Sequence, residues 1–224
     1  MRKGAERRSW FARRESTRRS AARHLIICAV WVAPLLGIGA AGAVDTFSLR
    51  SSLYYSAVEA DYHPGEDAQF RDIKGNVLAA GSRQFVEAAS IEGTAELADG
   101  TILNFDRIIR GEVRWRRVSA PHGIDARGCA LVPFRSAAVD PDLVPLGSRL
   151  LIAETRGIRL PGGGTHDGIW VATDTGEKIK GRRIDLFTGR GKASMATIEK
   201  VGIDYLDPVQ VRVVGRGASC PQRH

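Results

Sequence analysis

Residues 25–44 run for 20 positions without a charged side chain, and no other feature limits the architecture of this chain so strictly. Such a run has the layout of a secretory signal and also the length to span a bilayer. It follows nine bases (Arg2, Lys3, Arg7, Arg8, Arg13, Arg14, Arg18, Arg19, Arg23) set against two acids (Glu6, Glu15). Basic residues on that side leave whatever follows outside the cytoplasm in either case. Residues 25–36 make an apolar h-region and residues 37–43 a small-residue region in which Ala41-Gly42-Ala43 fits an A-x-A cleavage site. A cleaved signal and an uncleaved anchor both stand, with Pro34 and the glycines favouring cleavage. Ser20-Ala21-Ala22 is a poor continuation of a twin-arginine signal, and Cys28 starts the apolar run where a lipidated cysteine would end it.

The leader accounts for most of the formal charge of +8. Beyond residue 24 the chain holds 24 bases and 23 acids, a net charge of +1. A nucleic-acid groove built on overall charge is thereby excluded. With 26% charged and 43% hydrophobic residues, a disordered or collagen-like chain is excluded as well. Two cysteines remain after the leader, Cys129 and Cys220. In an exported chain they form one disulfide or stay as two thiols. A bridge would close a long loop, worth ~4 kcal/mol in the entropic picture. No C-x-x-C or His/Cys cluster points to a metal, and His166-Asp167 in a glycine-rich loop reads as a solvated turn.

Residues 44–83 are weakly patterned and read as a linker or N-terminal extension. Strand signals start after residue 84. Residues 91–97 and 101–105 flank Asp99-Gly100, a hairpin signal. Apolar runs follow at 149–153, 169–173, 184–187 and 209–214, the last alternating as on a half-buried strand. Residues 192–201 carry a helical stripe of Ala193, Ala196, Ile198 and Val201, ended by Gly202. Six or more short strands with one or two short helices predict a mainly β fold, a small closed barrel over residues 84–217 with a tail at 218–224.

Three aspartates stand beside strand ends or turns in this region: Asp140 in Ala138-Val139-Asp140-Pro141, Asp174 in Thr173-Asp174-Thr175-Gly176, and Asp185 in Arg183-Ile184-Asp185-Leu186-Phe187. A carboxyl crowded by others and partly desolvated has a raised pKa and can serve as a general acid near neutral pH. The plainer reading of each is a turn or strand-end cap.

The order AVDP, VPLGS, TDTG, IKG, RIDLF resembles the three-aspartate (3D) domain of the membrane-bound lytic transglycosylase A family and related small muralytic proteins, over residues 125–215. The resemblance implies a six-stranded double-psi β-barrel. It implies non-hydrolytic cleavage of the β-1,4 bond between N-acetylmuramic acid and N-acetylglucosamine in peptidoglycan, leaving a 1,6-anhydro end. Carried over by position, Asp174 matches the catalytic aspartate, Asp140 and Asp185 its companions, and Lys180-Gly181 the loop between them; Thr175, Gly176 and Lys180 are the expected substrate contacts. No cofactor or metal is implied. The partner is the glycan strand, not nucleic acid, and a membrane is met only through an uncleaved leader; the site of action is the periplasmic or extracellular cell-wall space. Glu177-Lys178 departs from the two small residues common in the family. The larger members carry a second domain for which this chain lacks the length, so a shallow groove is expected. Trp115, between two arginines, is the candidate sugar platform; Trp170 serves either as platform or as core. Two other readings remain. One is a non-catalytic glycan-binding barrel; the other, from the lone Asp174-Thr175-Gly176 triplet, is a dimeric aspartic protease.

Overall fold

The computed structural model describes residues 45–217, 219 and 220. The signal-or-anchor segment and His224 lie outside the described residues. Among those described, no helix is long and apolar enough to cross a membrane.

The first strand, β1 (Thr46–Val58), overturns the linker reading of residues 44–83. Phe47, Leu49, Leu53, Tyr55 and Ala57 alternate with Ser48, Arg50, Ser52, Tyr54 and Ser56, the period-2 pattern of a strand with two different faces. The serines and Arg50 weaken its hydrophobicity, not its periodicity. After β1 come β2 (Ala68–Arg71), β3 (Val77–Gly81), α1 (Arg83–Glu92), β4 (Thr94–Glu96), β5 (Ile102–Ile109) and β6 (Glu112–Val118). Then come β7 (Ser136–Val139), β8 (Arg149–Ile152), β9 (Ile169–Asp174), β10 (Arg183–Arg190), α2 (Ala196–Glu199) and β11 (Pro208–Gly215).

Six of these strands close on themselves. The sheet runs β10-β7-β9-β8-β11-β1, and β1 pairs again with β10. The fold is a mainly β, closed six-stranded barrel. Its core holds Leu49, Val139, Leu150, Ile152, Trp170, Leu186 and Val211. Trp170 belongs to that core: it is fully buried, and its Nε1 donates to Thr155 Oγ1 at 3.0 Å. His166 is also buried, stacked on Trp170 at 4.9 Å, so it is no solvated turn.

The second half of β1 does a different job. Its Ala57 and Val58 pair with β4, and β4, β5 and β6 continue the sheet away from the barrel. Together with α1 and the β2–β3 hairpin they enclose a second core of Tyr55, Phe70, Phe85, Ala89, Leu103 and Trp115. The chain therefore has room for a second small layer after all, built from residues that read as linker and from a hairpin expected inside the barrel. Trp115 is 2% exposed and meets Phe70 edge-on at 5.0 Å. It is core and not a sugar platform; its flanking arginines face the other way because neighbours on a strand alternate.

Two local readings shift for reasons of capping. Residues 91–92 end α1, not a strand, because Ser82 caps the helix start and Gly93, at φ 83°, supplies the left-handed stop. Ile91 consequently faces solvent. The helix expected over 192–201 is only a 3-10 turn (Lys192–Met195) leading into α2, which buries Ile198. The Asp99-Gly100 turn does join β4 to β5, with Thr101 N–H donating to Asp99 Oδ1 at 2.8 Å.

Cys129 and Cys220 are joined in a disulfide, with Cα atoms 5.5 Å apart across a sequence separation of 91. Replacing Trp115 by Ala should lower stability by about 3–5 kcal/mol, read from denaturant unfolding, because the indole is sealed in the second core.

Candidate functional site

The barrel brings Asp174 and Asp185 together through one short strand. β7 lies between β9 and β10, and Ala138 of β7 is the register partner of Asp174 on one side and of Asp185 on the other. Two strand spacings put the aspartate Cα atoms roughly 10 Å apart. Register partners share a face, so both carboxyls look out across the methyl group of Ala138. Burial pushes each up to about 6; the Asp174 charge further raises Asp185, and the Asp125 charge further raises Asp174. Asp185 is steadied by Ser52, its partner on β1, and by the Arg183 charge. Its Oδ1 has no hydrogen-bond partner among the described residues.

Asp174 is held by three donors from three parts of the chain. The N–H groups of Thr175 (2.9 Å) and Ala126 (3.0 Å) both donate to Oδ1. The Tyr54 hydroxyl donates to Oδ2 at 3.0 Å. Tyr54 packs on Phe187 at 5.0 Å between centroids and is kept protonated by burial and by the neighbouring Asp174, Asp185 and Asp125.

The Ala126 donor comes from a loop that is tied down at each end. Ile124 N–H donates to Asn104 Oδ1 at 2.8 Å, linking the loop to β5. A side chain at Gly123 (φ +86°) would strike Asn104 and Thr94 at 2.4 Å, so only glycine passes there. Asp125 Oδ1 accepts from the N–H groups of Arg127 (3.0 Å) and Cys129 (2.9 Å), and Cys129 carries the disulfide. Asp125 is itself buried, with its pKa raised by desolvation.

Asp140 plays another part. Its Oδ2 accepts from Gly181 N–H at 2.6 Å and its Oδ1 from Asp142 N–H at 3.2 Å, and these bonds hold its pKa below the usual carboxylate range. It pins the loop between β9 and β10 and stays ionised. That loop is tacked inward by Ile179, which is buried, while Glu177, Lys178 and Lys180 point to solvent. Lys180 acts on Asp140 rather than on Asp174. A Cβ at Gly176 would lie 2.7 Å from Ile179, so the glycine lets the loop fold back on itself. Thr175 contributes its backbone N–H, and its side chain is exposed.

Sequence reasoning passed over two groups at this site, Tyr54 and Asp125, and a third beside it, Glu92, which accepts from the Tyr55 N–H. Tyr54 sits on the polar face of a strand whose alternation was readable. Asp125, four residues before Cys129, has the spacing of an Asp-centred turn. Glu92 carried no local signal; only tertiary packing brings it here. Among the described residues no three His, Cys, Asp or Glu side chains are grouped as ligands for an ion.

Residues 135–201 match the 3D domain family. Among solved structures, the chain is similar to E. coli MltA with bound chitohexaose, at 15% identity and TM-score 0.55, covering 77% of this chain and 73% of that one. It is also similar to a membrane-bound lytic murein transglycosylase from Agrobacterium tumefaciens, at 14% identity and TM-score 0.52, covering 76% of each chain. These likenesses show that the fold is shared. No curated protein matches the sequence.

The raised carboxyl has a cost that can be measured. Asp174 goes from 3.8 to about 6 on folding, so the folded state binds its proton more tightly and stability falls as pH rises between those values. Asp174→Asn should therefore be more stable than the parent above pH 6. The gain should fade as pH falls toward 4, as read from thermal unfolding across pH.

Proposed function

We propose that this 3D-domain chain is a peptidoglycan lytic transglycosylase in which Asp174 serves first as acid and then as base. The observation that carries the reading is a buried carboxyl at the end of β9, held by three donors and pushed up to about 6, inside the residues that match the 3D domain. A general acid works best when its pKa lies near the operating pH. The bound chitohexaose in E. coli MltA supports a glycan as the ligand of this fold.

The steps follow from the donors. Oδ1 already accepts two N–H bonds and Oδ2 accepts one O–H, so Oδ2 is the oxygen better placed to carry the proton. Protonated Asp174 donates it to the glycosidic oxygen as the bond to muramic-acid C1 breaks. The carboxylate left behind is stabilised by Thr175 N–H, Ala126 N–H and the Tyr54 hydroxyl. It then takes the proton of the C6 hydroxyl, whose oxygen bonds to C1 and closes the 1,6-anhydro ring. The nucleophile belongs to the sugar, which departs from the two-carboxylate scheme of most glycosidases. Asp125, when ionised, favours the protonated form of Asp174 by repulsion. Asp140 keeps the rim loop in place.

The aspartic-protease reading needs a second copy to supply a second carboxyl. The carboxyls that act on Asp174 here belong to its own chain, which removes the reason for a dimer. The disulfide and the leader support a location outside the cytoplasm, in the cell-wall space.

Incubation with peptidoglycan sacculi and mass analysis of the products tests the proposal: 1,6-anhydromuropeptides are expected, whereas intact bound glycan would make the chain a binding module. Asp174→Asn should lose at least about 100-fold in rate while keeping its fold by circular dichroism. The rate of the parent protein should decline as pH rises above about 6, because the acid form of Asp174 is then lost.

A further inference from the structure

β1 changes partners along its length. Thr46–Arg50 pair with β11, whereas Ala57–Val58 pair with β4. On its other edge the ladder with β10 slips between Tyr54 and Tyr55: Tyr54 is opposite Phe187 and Tyr55 opposite Gly189, so Thr188 is the extra residue of a bulge. The peptide unit joining Tyr54 to Tyr55 falls at the bulge and within the stretch between Arg50 and Ala57 that pairs with neither β11 nor β4 on the other edge, and side chains satisfy its two polar groups. The Tyr54 carbonyl accepts from Thr188 Oγ1 at 3.0 Å. The Tyr55 N–H donates to Glu92 Oε2 at 3.1 Å.

Glu92 is an expensive residue where it stands. It is the last residue of α1, at the end of the helix where a negative charge is unfavourable. Burial raises it to about 7, the Asp185 charge acts in the same direction, and Lys192 and the Tyr55 N–H oppose them. A carboxyl kept at such a cost has a partner that needs it, and the partner it has is the peptide next to Tyr54.

We infer that Glu92 is a positioning residue for the candidate acid: by holding the 54–55 peptide it fixes the direction from which Tyr54 presents its hydroxyl to Asp174 Oδ2. The inference rests on the reading of Asp174 as the acid, and it adds a contribution from the second layer to a site otherwise built on the barrel. Glu92 touches neither Asp174 nor the reacting atoms; it acts through Tyr54.

The test uses the full chain with Tyr54→Phe, Glu92→Ala, Glu92→Gln, Glu92→Asp and the double variant Glu92→Ala/Tyr54→Phe. The Asp174 carboxyl is titrated by carbon NMR, and cleavage of peptidoglycan is measured alongside. The Tyr54 hydrogen bond lowers the Asp174 pKa, so Tyr54→Phe should shift its midpoint upward. Glu92→Ala should do the same, and Glu92→Asp, one methylene too short, should follow it. Glu92→Gln, whose amide oxygen still accepts from Tyr55 N–H, should keep the parent midpoint, which separates positioning from a simple change of charge. In the double variant Glu92→Ala should add nothing to Tyr54→Phe, and turnover should fall about tenfold in Tyr54→Phe and in Glu92→Ala alone and no further in the pair. An unmoved Asp174 midpoint in both Glu92→Ala and Glu92→Asp overturns the inference. So does an equal further shift on the Tyr54→Phe background. If the parent protein cleaves no glycan, the transglycosylase reading fails, and the titrations still decide the role of Glu92.

Discussion

The site depends on a hydrogen bond between two strands that meet only because the barrel closes: Tyr54 of β1 to Asp174 of β9. Tyr54 and Asp174 are separated by 120 positions in sequence, and their strands are not neighbours in the sheet. Their side chains meet outside the barrel core, where Tyr54 packs with Phe187. The other donors to Asp174 come from its own strand end and from the loop that Asn104 and the disulfide hold in place. A carboxyl with three fixed donors needs little reorganisation when its charge appears, which is the condition for electrostatic help during proton transfer.

The aspartates of the 3D motif show how environment assigns roles to one residue type. Asp174 and Asp185 are desolvated and pushed up to about 6. Asp140 is shifted the other way by two backbone N–H groups. Desolvation penalises the charged form, whereas hydrogen bonds to the carboxylate reward it. The first two are thus poised to exchange protons, and the third stays a fixed anion that shapes the loop. This division follows the general pattern in which neighbouring carboxyls with different surroundings take different tasks.

The second layer changes how the barrel is understood. Its core, centred on Phe70, Phe85 and Trp115, is independent of the barrel core. It is nonetheless continuous with the barrel through β1, which serves both. Such sharing explains why the layer reaches the site through the end of α1, and why a strand that switches partners needs side chains to complete its hydrogen bonding.

Much of this was readable beforehand. The strand ends bearing Asp140 and Asp174, the turn at Asp99-Gly100, the strands β8 to β11 and the closed barrel follow from local pattern and motif order, because short-range turn chemistry and period-2 alternation are written in adjacent residues, whereas Asp185 lies inside β10 rather than at its end. β1 was equally readable by period and was obscured by its serines. Other features had no local trace. That Trp115 lies in a core, although arginines flank it, depends on what covers each face of β6. That Tyr54 and Asp125 gather around Asp174, with Glu92 behind Tyr54, depends on closure of the barrel and on a partner switch within one strand. Sequence alone determined which residues are able to titrate and which segments become strands, since both are properties of residues and their neighbours. Tertiary structure alone decided which carboxyls are buried and which donors reach them, since desolvation and long-range contact exist only once the chain has closed on itself.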